Sequence, residues 1–286
     1  MRDVQQARRY LDSFFVSSRA PKLTVTPVAQ PQFRGAWFVP EDADSSITTL
    51  YFHGGGYSFY PRSYAHLISS VAQAAKSRTF ALDYRLSPEF RFPAQLEDAL
   101  HAYRWLLATG TKPSNLVVAG DSAGANLALA LLQALRDANL PQPALAIALS
   151  PPTDFEIART TTPAEESADW ITWPMVSQWA NWFCDSSQSI NPLVSPALAD
   201  LRGLAPIYIQ AGRAEILYPS IQAFADRARR QGAHITLETW DYMNHDFQMF
   251  APDVPQSVAA LRRLGEVVHS HTRVQEASEA VSAAKS

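Results

Sequence analysis

The segment Gly120-Asp121-Ser122-Ala123-Gly124 has the residue types and spacing of a serine nucleophile on a tight turn. An apolar run at 116–119 precedes it and a helix-like run at 125–135 follows. A strand, a sharp turn and a helix in this order would hold Ser122 at the tip of the turn, close to the first N–H groups of the helix. Glycines are needed at both ends, because a side chain there would collide with neighbouring backbone. Alone, the G-x-S-x-G spacing also occurs in ordinary loops.

A second motif, His53-Gly54-Gly55-Gly56, follows the strand-like run 48–52. Consecutive glycines let the backbone approach a ligand closely and present its N–H groups. Acyl transfer passes through a tetrahedral oxyanion, which such donors stabilise. We therefore expect the amides of Gly54, Gly55 and Ala123 to form an oxyanion hole. Taken alone, the glycine run could equally be a tight turn.

A serine nucleophile needs a base, and in this arrangement the chain order is serine, acid, histidine. Of the seven histidines, three precede Ser122. His245 lies in the loop after the strand-like run 234–240, at the carboxyl end of that strand. It is the predicted general base, and a solvated loop histidine is the alternative interpretation.

Glu215 is the predicted acid, because it follows the strand-like run 206–210 and lies between Ser122 and His245 in the chain. Asp154, after the run 144–150, is the second candidate, although it could instead cap a helix. Asp121 is interpreted as structural, since a negative charge is favourable at a helix N-terminus.

The elements that must position these residues alternate along the chain. Such alternation predicts an α/β fold with a mostly parallel sheet and helices on both faces, and functional sites at the carboxyl ends of the strands. The strand-like runs are 48–52, 79–84, 116–119, 144–150, 206–210 and 234–240, with 32–39 as an early edge strand. The helical runs are 64–77, 93–110, 123–139, 216–231 and 255–269.

Two segments depart from the alternation. Residues 1–20 have the spacing of an amphipathic helix. Residues 155–190 form a long connection with four of the seven tryptophans, which favours a lid or binding element, although these aromatics could also belong to the core. We expect one domain over residues 1–286, with a helical cap formed by about 1–20 and 155–190.

Composition narrows the class of protein. The net charge of −3 gives no reason to expect nucleic acid as a partner, and no apolar run reaches the length of a membrane span. The N-terminus lacks a continuous apolar signal core, and the single cysteine, Cys184, excludes an intrachain disulfide, so a cytoplasmic enzyme is expected. The sequence holds no phosphate loop, zinc spacing or dinucleotide fingerprint, and we expect neither cofactor nor metal.

With both glycine motifs in place, the chain resembles the hormone-sensitive-lipase-like family of α/β-hydrolase esterases. The segment Asp83-Tyr84-Arg85-Leu86-Ser87-Pro88-Glu89 is similar to the DYRLAPE segment of that family. Two positions differ: Glu215 stands where the family usually has Asp, and Asp246 replaces the glycine of its H-G-F segment.

The resemblance implies the α/β-hydrolase fold with a cap and a serine carboxylesterase that acts on small, short-acyl esters through an acyl-enzyme. It also implies a dimer joined through an edge of the sheet. An amidase such as an arylformamidase would use the same groups. A ligand-binding receptor on the same fold is a further alternative.

Overall fold

The computed structural model describes residues 3–12, 21–61, 64–160 and 169–283. At its centre lies an eight-stranded sheet with the order β1-β2-β4-β3-β5-β6-β7-β8. The strands are β1 Thr24–Ala29, β2 Arg34–Val39, β3 Asp44–Phe52, β4 Ser77–Asp83, β5 Leu116–Asp121, β6 Leu145–Leu149, β7 Ile207–Gly212 and β8 Ile235–Trp240.

The pairing of the strands confirms a mostly parallel sheet. From β4 through β3 to β8 all neighbours are parallel, whereas β2 is antiparallel to both β1 and β4. The predicted strand at 32–39 exists, but it is not at the edge, because β1 pairs along its outer side. The sequence reading missed β1 since this strand is almost wholly exposed and contains Pro27, so it lacks the alternation of a half-buried strand.

Helices cover both faces of the sheet, as the alternation of strands and helices predicts. In β5, Val117 and Ala119 pack towards the helices at 64–75 and 255–283, while Leu116 and Val118 pack towards the helices at 94–108 and 122–137. This division follows from the two-residue period of a strand that is buried on both faces. The helices are α1 Val4–Asp12, α2 Tyr64–Ala75, α3 Ala94–Ala108, α4 Ser122–Asp137, α5 Phe155–Thr160, α6 Trp173–Phe183, α7 Tyr218–Arg230 and α8 Pro255–Ala283.

The helix α8 is longer than its predicted range of 255–269 and continues to Ala283. Its second half is rich in alanine and glutamate, which favour helix even where no apolar period marks one. Among the described residues, no helix combines the length and apolar character needed to cross a bilayer.

Three helices lie outside the alternating core. Within the predicted amphipathic segment, α1 covers Val4–Asp12, and residues 13–20 lie outside the described residues. Arg8 in α1 donates to the Ser58 carbonyl at 2.9 Å and pairs with Glu89 at 2.8 Å. The tryptophan-rich segment contains α5 and α6, while residues 161–168 lie outside the described residues. Phe183 of α6 stacks on Tyr57 with ring centroids 3.8 Å apart.

Candidate active site

The turn between β5 and α4 carries Ser122 in a strained backbone conformation. Its φ is +49°, a region that non-glycine residues seldom adopt, and only 7% of the residue is exposed. A Cβ on Gly120 would overlap the backbone of Gly124, and a Cβ on Gly124 would overlap the Phe52 carbonyl. The steric need for both glycines is thus confirmed, and the strand–turn–helix geometry presents the serine at the carboxyl edge of the sheet.

The structure brings the predicted nucleophile, base and acid together. Ser122 Oγ lies 2.9 Å from His245 Nε2, and His245 Nδ1 lies 3.3 Å from Glu215 Oε2. The three residues follow β5, β8 and β7, so the parallel order of the strands places their loops on one rim. The 123-residue separation between serine and histidine is therefore bridged by topology.

The carboxylate of Glu215 is fully enclosed and oriented by hydrogen bonds. Its Oε1 accepts from the Gly212 amide and from Ser150 Oγ, the latter at 3.1 Å. The second acid candidate has a different role, because Asp154 Oδ1 accepts from the amides of Glu156 and Ile157 at 2.9 and 3.1 Å. Asp154 thus caps α5, as its alternative interpretation held.

The glycine loop packs against the buried carboxyl group of Asp121. Tyr51 donates to Asp121 Oδ1 at 2.6 Å. Burial raises the pKa of Asp121 to about 7, against the lowering effect of the Tyr51 hydroxyl and the Gly54 amide. A Cβ on Gly54 would overlap Asp121 Oδ2, so a glycine is needed where the loop packs against this carboxyl group. Gly56, two residues further along the loop, lines the cavity beside Ser122.

Two residues of the segment before α6 hold the loops of the acid and the base, and the sequence analysis missed their role. Asp169 Oδ1 accepts from the His245 amide at 3.0 Å, and its Oδ2 accepts from the Ile216 amide at 2.9 Å. Trp170 Nε1 donates to the His245 carbonyl at 2.6 Å. Both the backbone N–H group and the backbone carbonyl of His245 are therefore hydrogen-bonded to this segment.

Three carboxyl groups surround His245 and raise the pKa of its imidazole. Burial pulls the pKa of His245 down, but Asp246, Glu215 and Asp169 raise it, and the result is a pKa of about 9. Burial also raises the pKa of the Glu215 carboxyl, although the hydrogen bonds from His245, Gly212 and Ser150 oppose this. The site therefore favours a protonated imidazole, the species that forms when a base accepts a serine proton.

A small apolar cavity of about 30 Å³ opens beside Ser122. Its lining combines the glycine loop, the turn that carries Ser122 and side chains of α5 and α6. The lining residues are Gly56, Tyr57, Ser122, Ala123, Pro152, Phe155, Ile171, Val176, Trp179, Ala180 and Leu217. Such a lining suits a short hydrocarbon group next to the serine hydroxyl.

Comparisons with known proteins agree with this architecture. A family model described as alpha/beta hydrolase fold matches residues 49–249. An acetyl-hydrolase from Streptomyces hygroscopicus is 39% identical over 244 residues, covering 82% of this chain and 79% of the relative. An esterase from Acinetobacter venetianus is 29% identical over 255 residues, covering 87% and 83% of the two chains.

Solved structures show the same relationship. An esterase from the bacterial hormone-sensitive lipase family has a TM-score of 0.89 at 35% identity, with coverage of 95% of this chain and 93% of that one. The structure of EstE5 soaked with p-nitrophenyl butyrate has a TM-score of 0.88 at 32% identity, with coverage of 95% and 92%.

Fold, site and relatives together define a carboxylic ester hydrolase of the α/β-hydrolase fold. Within that class, the chain belongs to the hormone-sensitive-lipase-like family of esterases, as the motifs had indicated. The alternative of a non-catalytic receptor finds no support among these esterase relatives.

Proposed function

We propose that this carboxylesterase hydrolyses small esters with short acyl chains, through an acyl-enzyme on Ser122. The small, apolar-lined cavity of about 30 Å³ beside the serine is the observation that carries the proposal, because a small apolar cavity favours a short hydrocarbon group over a long chain. The name of the Streptomyces relative, an acetyl-hydrolase, supports the same preference.

In the proposed mechanism, His245 Nε2 accepts the Ser122 proton while the serine oxygen attacks the ester carbonyl. Glu215 fixes the histidine tautomer through Nδ1–H and stabilises the imidazolium. The imidazolium then gives its proton to the departing alkoxide, and water later hydrolyses the acyl-enzyme. All three side chains already lie within 3.3 Å of a partner, so the first proton transfer needs little rearrangement.

The oxyanion requires donors on the glycine loop and at the start of α4. We propose the amides of Gly54, Gly55 and Ala123, as expected from sequence. The cavity lining supports this choice, since it contains Ala123 and the adjoining residue of the glycine loop, Gly56. The φ of +93° at Gly55 and of +57° at Gly56 supports it too, because these values free the loop to curl around an oxygen.

Three further proposals concern the whole molecule. Residues 1–286 form one domain with a cap built from α1, α5 and α6, supported by the contacts of α6 with the cavity.

A dimer joined through the edge strand β8 is supported by the position of that strand at the end of the sheet. A cytoplasmic location is supported by the single cysteine, which suits a reducing compartment.

An ester panel tests the proposed function. The wild type and Ser122→Ala are assayed with p-nitrophenyl acetate, butyrate and octanoate, and with p-nitroacetanilide as the matched amide. We expect kcat/KM to fall at least about 10-fold from acetate to octanoate, because a misfitting methylene already costs that much. Activity that rises with chain length, or that survives Ser122→Ala, would contradict the proposal. A preference for the amide would favour the amidase alternative.

A further inference from the structure

Asp246, directly after the proposed base, places a second carboxyl group against the imidazole. Its Oδ2 lies 3.2 Å from His245 Nε2, on the ring nitrogen opposite to the one that faces Glu215. Only 1% of Asp246 is exposed. Its backbone has a φ of +51°, where glycine is favoured, and its amide donates to Ser150 Oγ at 3.1 Å. The fold thus accepts both strain and a buried acid at this position.

The contact between Asp246 and His245 requires a proton. An ionised carboxylate only accepts hydrogen bonds, and so does the unprotonated Nε2 of a neutral imidazole. A carboxylate and a neutral imidazole nitrogen at 3.2 Å would repel each other unless one of the two groups carries a proton. That proton belongs either to an imidazolium facing a carboxylate or to a carboxylic acid facing a neutral imidazole.

Among the described residues, the groups around Asp246 provide no hydrogen bond to its carboxyl group and, apart from His245, no positive charge. Within the described part of the chain, neither oxygen of Asp246 takes part in a hydrogen bond, and His245 Nε2 forms its hydrogen bond with Ser122 Oγ instead. The titratable groups that face it from the surrounding elements are acids and phenols, apart from the histidine. They are Asp121 of β5, Glu215 after β7, Asp169 before α6, Tyr51 of β3, Tyr64 of α2 and His245 of its own loop.

We propose that Asp246 is a positioning residue whose buried carboxyl group, placed beside His245 Nε2, increases the proton affinity of the base through its charge. The inference rests on the proposed role of His245. It goes beyond that role, because Glu215 alone completes the expected set of three residues, and nothing in that set requires an acid on the Nε2 side.

The proton that Asp246 helps to retain on His245 has two opposite effects on the reaction. While it remains on Nε2, the lone pair that should accept the Ser122 proton is occupied, so the free enzyme is inactive until the proton leaves to solvent. Once it has left, the nearby carboxylate stabilises the imidazolium that forms when Ser122 gives up its proton. With the Asp246 carboxyl group, the esterase therefore has a stronger base than it would have without it. It also becomes active only at a higher pH than it would without this group.

The pKa shifts agree in direction with this arrangement. Burial pulls the pKa of His245 down, and Asp246 is the first of the groups that push it up, to about 9. Burial raises the pKa of Asp246 well above its ordinary value, with the positive charge of His245 opposing this and the other carboxylates adding to it.

The pH dependence of kcat/KM for p-nitrophenyl acetate tests the inference. In the wild type, kcat/KM should rise with pH through the deprotonation of His245. In Asp246→Asn and Asp246→Gly this rise should move to lower pH by about 1 to 3 units, since an opposite charge at this distance shifts a pKa by that amount. Asn and Gly both tolerate a positive φ, so either variant can keep the loop conformation.

The matched control is Asp241→Asn, which removes one carboxylate from the exposed part of the same loop. Its profile should coincide with that of the wild type. If the profiles of Asp246→Asn and Asp246→Gly also coincide with the wild type, while stoichiometric labelling of Ser122 by an organophosphonate shows an intact site, the inference is overturned.

A second measurement separates this inference from the proposed function. The pKa of His245 is measured by NMR in Ser122→Ala and in Ser122→Ala/Asp246→Asn, neither of which needs to turn over substrate. A lower His245 pKa in the double variant supports the inference, and an equal pKa refutes it. If Ser122→Ala retains esterase activity, the proposed function fails, whereas this titration still decides the role of Asp246.

Discussion

The α/β core and the proposed cap of α1, α5 and α6 meet at one small cavity, but they contribute to it in different ways. The core supplies Ser122, Glu215 and His245 from three strand ends, held by hydrogen bonds of defined geometry. The cap supplies mainly apolar side chains such as Phe155, Val176 and Trp179. Chemistry is therefore assigned to the core and the shape of the substrate site to the cap.

Asp169 and Trp170 are exceptions to this division. They precede α6, yet their side chains form hydrogen bonds with the backbone of His245 and of Ile216, the residue after the proposed acid. The segment that leads into the cap thus contributes to the orientation of the proposed base. Three substitutions test how far the division holds, one in the core, one at the junction and one in the cap.

The largest effect is expected from the core variant Glu215→Gln. The amide cannot hold the histidine in the productive tautomer, so kcat should fall about 10⁴-fold while the fold persists, as for a comparable acid-to-amide change in a serine protease. The measurement is steady-state kinetics with p-nitrophenyl acetate, accompanied by circular dichroism. The matched control is Asp154→Asn, which should keep most of kcat because Asp154 caps α5. A similar loss in both variants would remove the distinction between the two acids.

An intermediate effect is expected from the junction variant Asp169→Asn. One of its two acceptor oxygens is replaced by an NH₂ group, which would face the amide of either His245 or Ile216. We expect kcat to fall about 10- to 100-fold with little change in KM, because a misplacement of the base by a fraction of an ångström has that cost. Asp185→Asn, which alters a carboxylate on the exposed surface after α6, serves as the control. A change in KM alone would assign Asp169 to substrate binding.

The smallest effect on the chemistry is expected from the cap variant Trp179→Ala. The Trp179 ring lies against Gly56, where an added Cβ would come within 2.7 Å of it, and it closes one side of the cavity. Its removal should raise the octanoate-to-acetate ratio of kcat/KM about 10-fold and leave kcat for acetate nearly unchanged. Trp182→Ala is the control, since Trp182 also contacts Phe59 but does not line the cavity. Equal ratios in both variants would mean that the cap does not set the acyl preference.

The sequence was sufficient to predict those parts of the site that depend on strand order. Ser122 and Glu215 follow buried strands and His245 follows the partly exposed edge strand β8, and the carboxyl ends of parallel strands meet on one rim. The exposed edge strand β1 carries no such pattern, and so it was missed.

Contacts that depend on where a loop returns in space were also out of reach. Asp169 accepts a hydrogen bond from the amide of His245, which lies 76 residues further along the chain, and no periodic pattern surrounds Asp169 in the sequence.

The hydrogen bonds of Asp169 and Trp170 have a consequence for exchanging segments between related esterases. A transplant that replaced the whole segment from α5 to α6 would also remove two acceptors and one donor from the loops of the core. The recipient would then have a new substrate site above a base that is no longer held in place. Chimaeras should therefore keep residues 169 and 170 with the recipient core and join the foreign cap on either side of them.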